Sequence, residues 1–269
     1  MSSPAGRCPA PEQRSSASSN AQSRVATNAQ RLRVAARRID VAADGSIDEY
    51  RDRGHGFLVR SSWCPRCGSD LVAPGMYSSS WRCSLHGDVL PLTAYHRLDA
   101  ADIDHVTTNS DVPLWLPDPP PLGWMLAGLG AVGDARSRIR ATVTAFHGEA
   151  PLGGPGEWLV VAEEPGIGLG ETYAAVLNAD PAQLADCSPP AKVHANGHPT
   201  SLWSVPNEVS DRSAYLGEAG GVWLWLISFP ADAGYAVLED LVLTDARQGV
   251  TADFPVDKPS ERIRPVSAG

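Results

Sequence analysis

The fold is decided by the stretch Ala141-Thr-Val-Thr-Ala-Phe146, in which small apolar side chains alternate with threonine over the first five residues. Alternation with a period of two places successive side chains on opposite faces of a strand, and it is typical of an antiparallel sheet with one buried face. Further short strands, separated by glycine and proline, are predicted at 124–129, 157–162, 192–195, 200–205, 213–217, 222–228, 235–238 and 241–244. The pattern therefore predicts an α+β fold that is mainly antiparallel sheet.

The longest apolar run is Gly221-Val-Trp-Leu-Trp-Leu-Ile-Ser-Phe-Pro230. It is much shorter than the roughly 20 residues that a membrane-spanning helix needs. Its aromatic and β-branched residues favour a core strand. Good helix formers at 170–177 predict one helix, and a second, short helix is predicted at 181–185.

Two pairs of metal-binding side chains stand before this domain, in Cys64-Pro-Arg-Cys67-Gly68 and Cys83-Ser-Leu-His86-Gly87. In each pair, a glycine after the second ligand lets the backbone fold back, so that both donors point at one ion. A Cys3His set with no open coordination position is typical of structural Zn2+. Iron in a rubredoxin-like knuckle is the alternative, and the histidine ligand favours zinc. The spacing predicts a zinc ribbon with these four residues as ligands.

Composition restricts the function classes. The chain has 269 residues and a net charge of −9, so as a whole it should repel the phosphate backbone of nucleic acids. Five cysteines, an odd count, argue against a disulfide framework, and no apolar secretory segment opens the chain. We therefore predict a cytoplasmic protein that has no membrane segment.

Charge and composition divide the chain. Residues 1–60 hold ten arginines and six acidic residues, a net charge of +4, and we predict a disordered or weakly helical basic arm there. A zinc ribbon is predicted at 61–95, a linker at 96–111, the α+β domain at 112–250 and a disordered tail at 251–269.

Trp115 and Trp124 belong to a proline-rich stretch that runs from Val112 to Trp124 and favours extended conformation. One interpretation is that the two indoles form a surface for a ligand or a partner protein. The other is that they pack against their own domain.

Two glycine motifs suggest enzyme functions. Gly128-Leu-Gly-Ala-Val-Gly133 matches the dinucleotide fingerprint, but it leads into a strand where that fingerprint needs a helix, so a hairpin turn explains it better. The loop with Gly166, Gly168 and Gly170 does lead into a helix, whose free amides are suited to an anion. Acidic neighbours oppose an anion, and a tight structural turn is the alternative.

Several phrases together resemble an uncharacterised actinobacterial family that carries an N-terminal zinc ribbon and a domain of unknown function. They include C-P-x-C-G, W-x-C-x-x-H-G, L-V-V-A-E-E-x-G-I-G-L-G and W-L-W-L-I, and they cover about Trp63 to Asp245. The resemblance implies the same four metal ligands and no catalytic residue. The hairpins around Val193–Trp203 are also similar to the half-barrel sheets of lipoprotein-carrier and anti-sigma regulatory proteins.

Three functions follow as hypotheses. The first is a protein- or ligand-binding adaptor with structural zinc. The second is an enzyme that holds a phosphate-bearing or acyl-carrier substrate at the Gly166–Gly170 loop, with Glu163 or Glu164 as general base. The third is nucleic-acid binding through the ribbon, where Trp63 and Trp81 would stack on bases.

Overall fold

A long antiparallel sheet forms the body of the protein. The computed structural model describes residues 62–76, 78–95, 98–176, 189, 191–207, 209–238, 241–249 and 254–265. Within these ranges the strands are β1 Ser62–Trp63, β2 Arg82–Cys83, β3 Gly87–Asp88, β4 Leu92–Tyr95, β5 Trp115–Pro117, β6 Met125–Asp134, β7 Arg138–Glu149, β8 Pro155–Glu163, β9 Ala191–Ala195, β10 His198–Ser204, β11 Ser213–Ala219, β12 Val222–Phe229 and β13 Val242–Asp245. The α-helices are α1 Ala100–Asn109 and α2 Leu169–Ala174, and 3-10 helices span Ala231–Leu238, Ala246–Gln248 and Glu261–Ile263.

Eleven strands make one sheet in the order β1-β4-β6-β7-β8-β12-β11-β10-β9-β13-β5, and β2 pairs with β3 in a separate hairpin. All neighbours in the large sheet are antiparallel except β13 and β9, which are parallel. Connections of at most five residues join four of the antiparallel pairs, β6–β7, β7–β8, β9–β10 and β11–β12, since antiparallel strands need only a tight turn. The predicted α+β class with a mainly antiparallel sheet is confirmed.

Both faces of the central strands are buried, which differs from the single buried face that the alternation predicted. In β7 the hydroxyl groups of Thr142 and Thr144 donate hydrogen bonds to the carbonyl oxygens of Pro113 and Trp115, at 2.6 and 3.0 Å. The sheet therefore curls until its last strand, β5, lies against its middle. The threonine face that would meet water in an open sheet is covered instead.

Two apolar clusters fill the two faces. One contains the tryptophans of β5 and β8 together with Leu126 and Phe146. The other lies beneath α2 and contains Leu159, Trp225 and Ile263. No helix among the described residues is long and apolar enough to cross a membrane.

Four predicted segments compare with the structure as follows. The strand predicted at 235–238 is wrong, because residues 231–238 form a 3-10 helix. The first turn of this helix is closed by a hydrogen bond from the Ala233 amide to the Pro230 carbonyl at 3.0 Å. The predicted linker 96–111 contains α1, whose first turn is capped by Asp99. The predicted helix at 181–185 and the arm at 1–60 lie outside the described residues.

The predicted disordered tail is also different in the structure. Residues 254–265, called the strap below, run along β6 and form two hydrogen bonds with Leu126, through Pro255 and Asp257. Ile263 in the strap is only 3% exposed. Residues 60–269 form one compact unit. The segment 61–95, called the ribbon below, contributes β1 and β4 to the large sheet, where β4 pairs with both β1 and β6.

Candidate metal centre

The first ligand pair is shaped by backbone hydrogen bonds. The amides of Cys67 and Gly68 both donate to the Cys64 carbonyl, at 3.3 and 2.8 Å, and the Cys64 amide donates to the Ser69 carbonyl at 2.8 Å. Gly68 takes the left-handed conformation, with φ of 68°. A side chain is strained there, so the glycine that follows Cys67 is needed for the turn that the spacing predicted.

The second pair has the same design. Cys83 ends β2, Gly87 begins β3 with φ of 70°, and the intervening turn brings His86 back towards Cys83. The Leu85 amide donates to the Cys83 sulfur at 3.4 Å. That hydrogen bond orients the sulfur towards the first pair.

The four donor atoms converge. Cys64 Sγ lies 3.5 Å from His86 Nδ1, Cys83 Sγ lies 3.6 Å from the same nitrogen, and the sulfurs of Cys67 and Cys83 are 3.6 Å apart. All four lie within 4.8 Å of one another. A tetrahedron around Zn2+, with bonds of about 2.0–2.3 Å, has edges of about 3.5–3.8 Å between its donors. The chain therefore has a possible metal site with tetrahedral spacing.

Thiol acidity differs across the site. Burial raises the pKa of Cys64 to about 12. Burial acts in the same direction on Cys83, but hydrogen bonds from the Leu85 and His86 amides and from the His86 ring outweigh it and lower the pKa of that thiol to about 6. Cys83 therefore loses its proton more readily than Cys64. A bound cation would have to displace the proton of Cys64.

A match to a known protein family covers nearly the same residues as the compact unit 60–269. The model of a family of unknown function, DUF6758, matches residues 59–263, from the approach to the first knuckle to the buried Ile263 of the strap. The chain belongs to DUF6758. No curated protein and no solved structure matches it.

In this DUF6758 chain, Trp115 and Trp124 lie in the core, where they are 2% and 6% exposed. Trp124 stacks on Trp158 with 3.9 Å between the ring centroids, and Gly148 leaves room for its indole, since a Cβ there would overlap the ring. Neither indole is exposed, so the two do not form the partner surface that the first interpretation required. Their packing follows the other interpretation.

The amides of the Gly166–Gly170 loop are already engaged. The Leu169 amide donates to one carboxylate oxygen of Glu163 at 2.8 Å, and the Gly170 amide donates to the other at 3.2 Å. Gly170 is itself packed against the Trp225 indole, which a Cβ would overlap. The end of the loop therefore binds an anion of its own chain.

The other side of the loop is held by the ribbon. Arg66, which lies between Cys64 and Cys67 in sequence, donates from Nε to the Ile167 carbonyl at 3.2 Å and from Nη2 to the Gly166 carbonyl. A Cβ on Gly168 would lie only 3.3 Å from the Cγ atom of Arg66. Gly168 and Gly170 thus pack against groups of the same chain, and the Gly166 carbonyl accepts a hydrogen bond from Arg66, although a Cβ on Gly166 would meet nothing within 4 Å.

Glu163 is 2% exposed, and burial raises its pKa to about 7. The two amides oppose this shift, and the nearby charge of Glu171 adds to it. Glu164, the second candidate base, forms an ion pair with Arg140. Neither Glu163 nor Glu164 lines the cleft that contains Trp203 and Glu218 or the cleft that contains His147 and Glu157.

Three arginines that no sequence pattern singled out contact the backbone around the centre or the segment it holds. Arg66 binds the carbonyl groups of Gly166 and Ile167. Arg264 donates from Nε to the Gly68 carbonyl at 3.0 Å, and Arg136 donates to the Ser79 carbonyl at 3.0 Å. Arginines that bind main-chain carbonyl groups far away in sequence leave no signal in spacing or periodicity.

Proposed function

We propose that this chain binds one zinc ion through Cys64, Cys67, Cys83 and His86 and acts as a binding or adaptor protein without catalysis at the metal. The observation that carries the proposal is the convergence of four soft donors within 4.8 Å. Three thiols and an imidazole favour Zn2+ over the harder Mg2+ and Ca2+.

A structural role for the metal follows from the donor set. Four protein ligands fill a tetrahedral site, whereas catalytic zinc keeps one position for water or substrate. The three cysteines are buried at 0%, 8% and 4% exposure. Since a hairpin as short as β2–β3 has little apolar core of its own, the ion would supply much of its folding free energy.

The adaptor function is supported by the surface of the ribbon. Three large apolar side chains there are exposed: Val72 at 70%, Met76 at 91% and Leu85 at 73%. Exposed apolar side chains mark a protein contact where they form a contiguous patch. These residues replace the buried Trp115 and Trp124 as candidates for the partner surface.

The charge of the ribbon does not favour nucleic acid. Residues 62–95 hold two arginines and two aspartates, so their formal charge is zero. Arg82 pairs with Asp88 at 3.1 Å, and Arg66 is turned towards the Gly166 carbonyl. We retain a cytoplasmic location and an actinobacterial origin as predictions; reduced cysteines suit a reducing compartment.

Metal content is the first test. Native mass spectrometry of the full chain should show one zinc ion per molecule, and Cys83→Ser should lose it. Cys8→Ser, which changes a cysteine far from the cluster in sequence, is the matched control and should keep the ion. Wild-type protein that purifies without metal and takes up none from solution would contradict the proposal.

The adaptor function has its own test. Crosslinking in cells should capture a reproducible protein with the wild-type chain and much less of it with Leu85→Ser. Leu152→Ser removes a leucine of nearly equal exposure, 72% against 73%, from the β7–β8 turn and is the matched control. Equal loss in both variants would mean that the ribbon surface has no special role.

A further inference from the structure

We infer that the metal centre acts as a latch, whose occupancy holds the strap (residues 254–265) and the Gly166–Gly168 turn on the large sheet. The inference rests on the proposed zinc binding, and it goes beyond a scaffold role because it assigns the ion control over two segments outside the ribbon.

The end of the strap contacts the backbone that surrounds the first ligand pair. Pro265 lies so close to Gly68 that any Cβ on the glycine would overlap the proline carbonyl oxygen. Arg264 donates to the Gly68 carbonyl at 3.0 Å and lies 3.4 Å from the Asp70 carboxylate. Its guanidinium also covers the Trp63 ring, 5.3 Å from the centroid. These contacts depend on the knuckle geometry, because Trp63 and Gly68 directly flank Cys64 and Cys67 and Asp70 follows two residues after Gly68.

The remainder of the strap fills a groove that is built for it. Ile263 lies against β6, where a Cβ on Gly128 would be 2.6 Å, and a Cβ on Gly130 3.2 Å, from its side chain. The Tyr173 hydroxyl donates to the Ile263 carbonyl at 2.6 Å. This accounts for two glycines of the motif that resembled a dinucleotide fingerprint: they make room for the strap.

The same knuckle holds the Gly166–Gly168 turn. Arg66 lies between Cys64 and Cys67, so its backbone position depends on both ligands, and its guanidinium binds the carbonyl groups of Gly166 and Ile167. One ligand pair thus controls two arginine contacts, one with the turn through Arg66 and one with the strap through Arg264. When the ion leaves, the knuckle loses its main source of order and both contacts lose their geometry.

Release would change the surface of the protein. The groove beside Gly128 and Gly130 is apolar, and Ile263 is the side chain that covers it. Loss of the ion would therefore expose this groove and release the Gly166–Gly168 turn at the same time. The body of the sheet would stay folded, because the pairing of β7, β8 and β12 with one another involves no ribbon residue.

Hydrogen exchange on the full chain tests the latch. Zinc-loaded protein is compared with the same sample after chelation and after zinc is returned, and metal content is measured by mass spectrometry each time. Amides of the strap and of residues 164–170 should exchange at least about tenfold faster without metal and recover with it. Amides of β11 and β12, which pair with β8, β10 and each other and with no strand of the ribbon, should not change.

Variants separate the two contacts while the metal stays bound. Arg264→Ala should keep one zinc ion and speed exchange in the strap alone. Arg66→Ala should keep the ion and speed exchange at residues 164–170 alone. Arg247→Ala, which removes an arginine from the 3-10 helix Ala246–Gln248, should leave both segments as in the wild type.

Three outcomes overturn the latch. If the strap stays protected after zinc is removed, the coupling is absent although the proposed zinc binding stands. If β11 and β12 lose protection together with the strap, zinc is needed for the whole fold and controls no separate segment. If the chain binds no zinc, the metal measurement shows it, and the proposed function falls with the latch.

Discussion

Glu163 accepts the backbone N–H of Leu169 at 2.8 Å, so a buried carboxylate occupies the position that an external anion would take at the start of α2. Its other oxygen accepts the Gly170 amide at 3.2 Å. Free amides at a helix start attract negative charge, and here the chain supplies that charge itself. The loop amides that the sequence offered to an external anion are thus occupied by a carboxyl group of the same chain.

The burial of Glu163 predicts a dependence of stability on pH. Its pKa is about 7 in the folded protein, against an ordinary value of 4.5, so the folded state holds the proton more strongly than the unfolded state. The stabilisation is therefore complete below pH 4.5 and is lost as the pH rises through 7. We expect this group to lower the free energy of unfolding by about 3 kcal/mol between pH 4.5 and 8.

Urea unfolding of the wild type and Glu163→Gln, across this pH range and with zinc present, measures the effect. The glutamine cannot ionise, so the difference in free energy of unfolding between the two proteins should shrink as the pH rises. The variant should be the less stable one at low pH, since its NH2 group would face an amide donor. A difference that stays constant across the range would contradict the assigned pKa.

The candidate site was predictable where its chemistry is local in sequence. Both ligand pairs, and the turns at Gly68 and Gly87, follow from spacing alone, because a knuckle is built within five residues. The docking of that site was not predictable. Arg66, Arg264 and Pro265 meet partners about one hundred or two hundred residues away, and no local pattern encodes such contacts.

Trp124 should matter for stability. It is stacked on Trp158 and is 6% exposed, so Trp124→Ala would leave a large cavity and should cost about 3–5 kcal/mol of unfolding free energy. Denaturant unfolding measures this cost. Leu122→Ala, a change at a fully exposed leucine two residues earlier, should cost less than about 0.5 kcal/mol. Equal costs would mean that the indole is not packed in the core.

The strands were predicted by alternation, but the number of buried faces was not. Alternation of alanine with threonine in β7 suits a face in water as well as a face covered by another strand. The difference depends on where β5 lies, and residues 115–117 are too few to show a period of two. The closure of the sheet therefore depends on tertiary contacts between β5 and β7, which the pattern within either strand does not reveal.

Thr144 tests that closure. Its hydroxyl donates to the Trp115 carbonyl at 3.0 Å and is 1% exposed, so Thr144→Val keeps the shape and leaves a buried acceptor without its donor. We expect a loss of about 1–3 kcal/mol in unfolding free energy. Thr93→Val in β4, at a half-buried position, is the comparison and should cost less. A neutral Thr144→Val would mean that the carbonyl finds another partner or water.

Gly128 and Ile263 give the sharpest test of the strap contact. A Cβ on Gly128 would lie 2.6 Å from Ile263 Cγ1 and 3.0 Å from the Ala145 Cβ, so Gly128→Ala should cost about 1–3 kcal/mol through overpacking. Gly75→Ala, at a glycine with nothing within 4 Å, should be nearly neutral. Because the clash is chiefly with one side chain, Gly128→Ala should cost less in a chain that already carries Ile263→Ala. A double-mutant cycle from denaturant unfolding measures this coupling, and additive costs would contradict the contact between β6 and the strap.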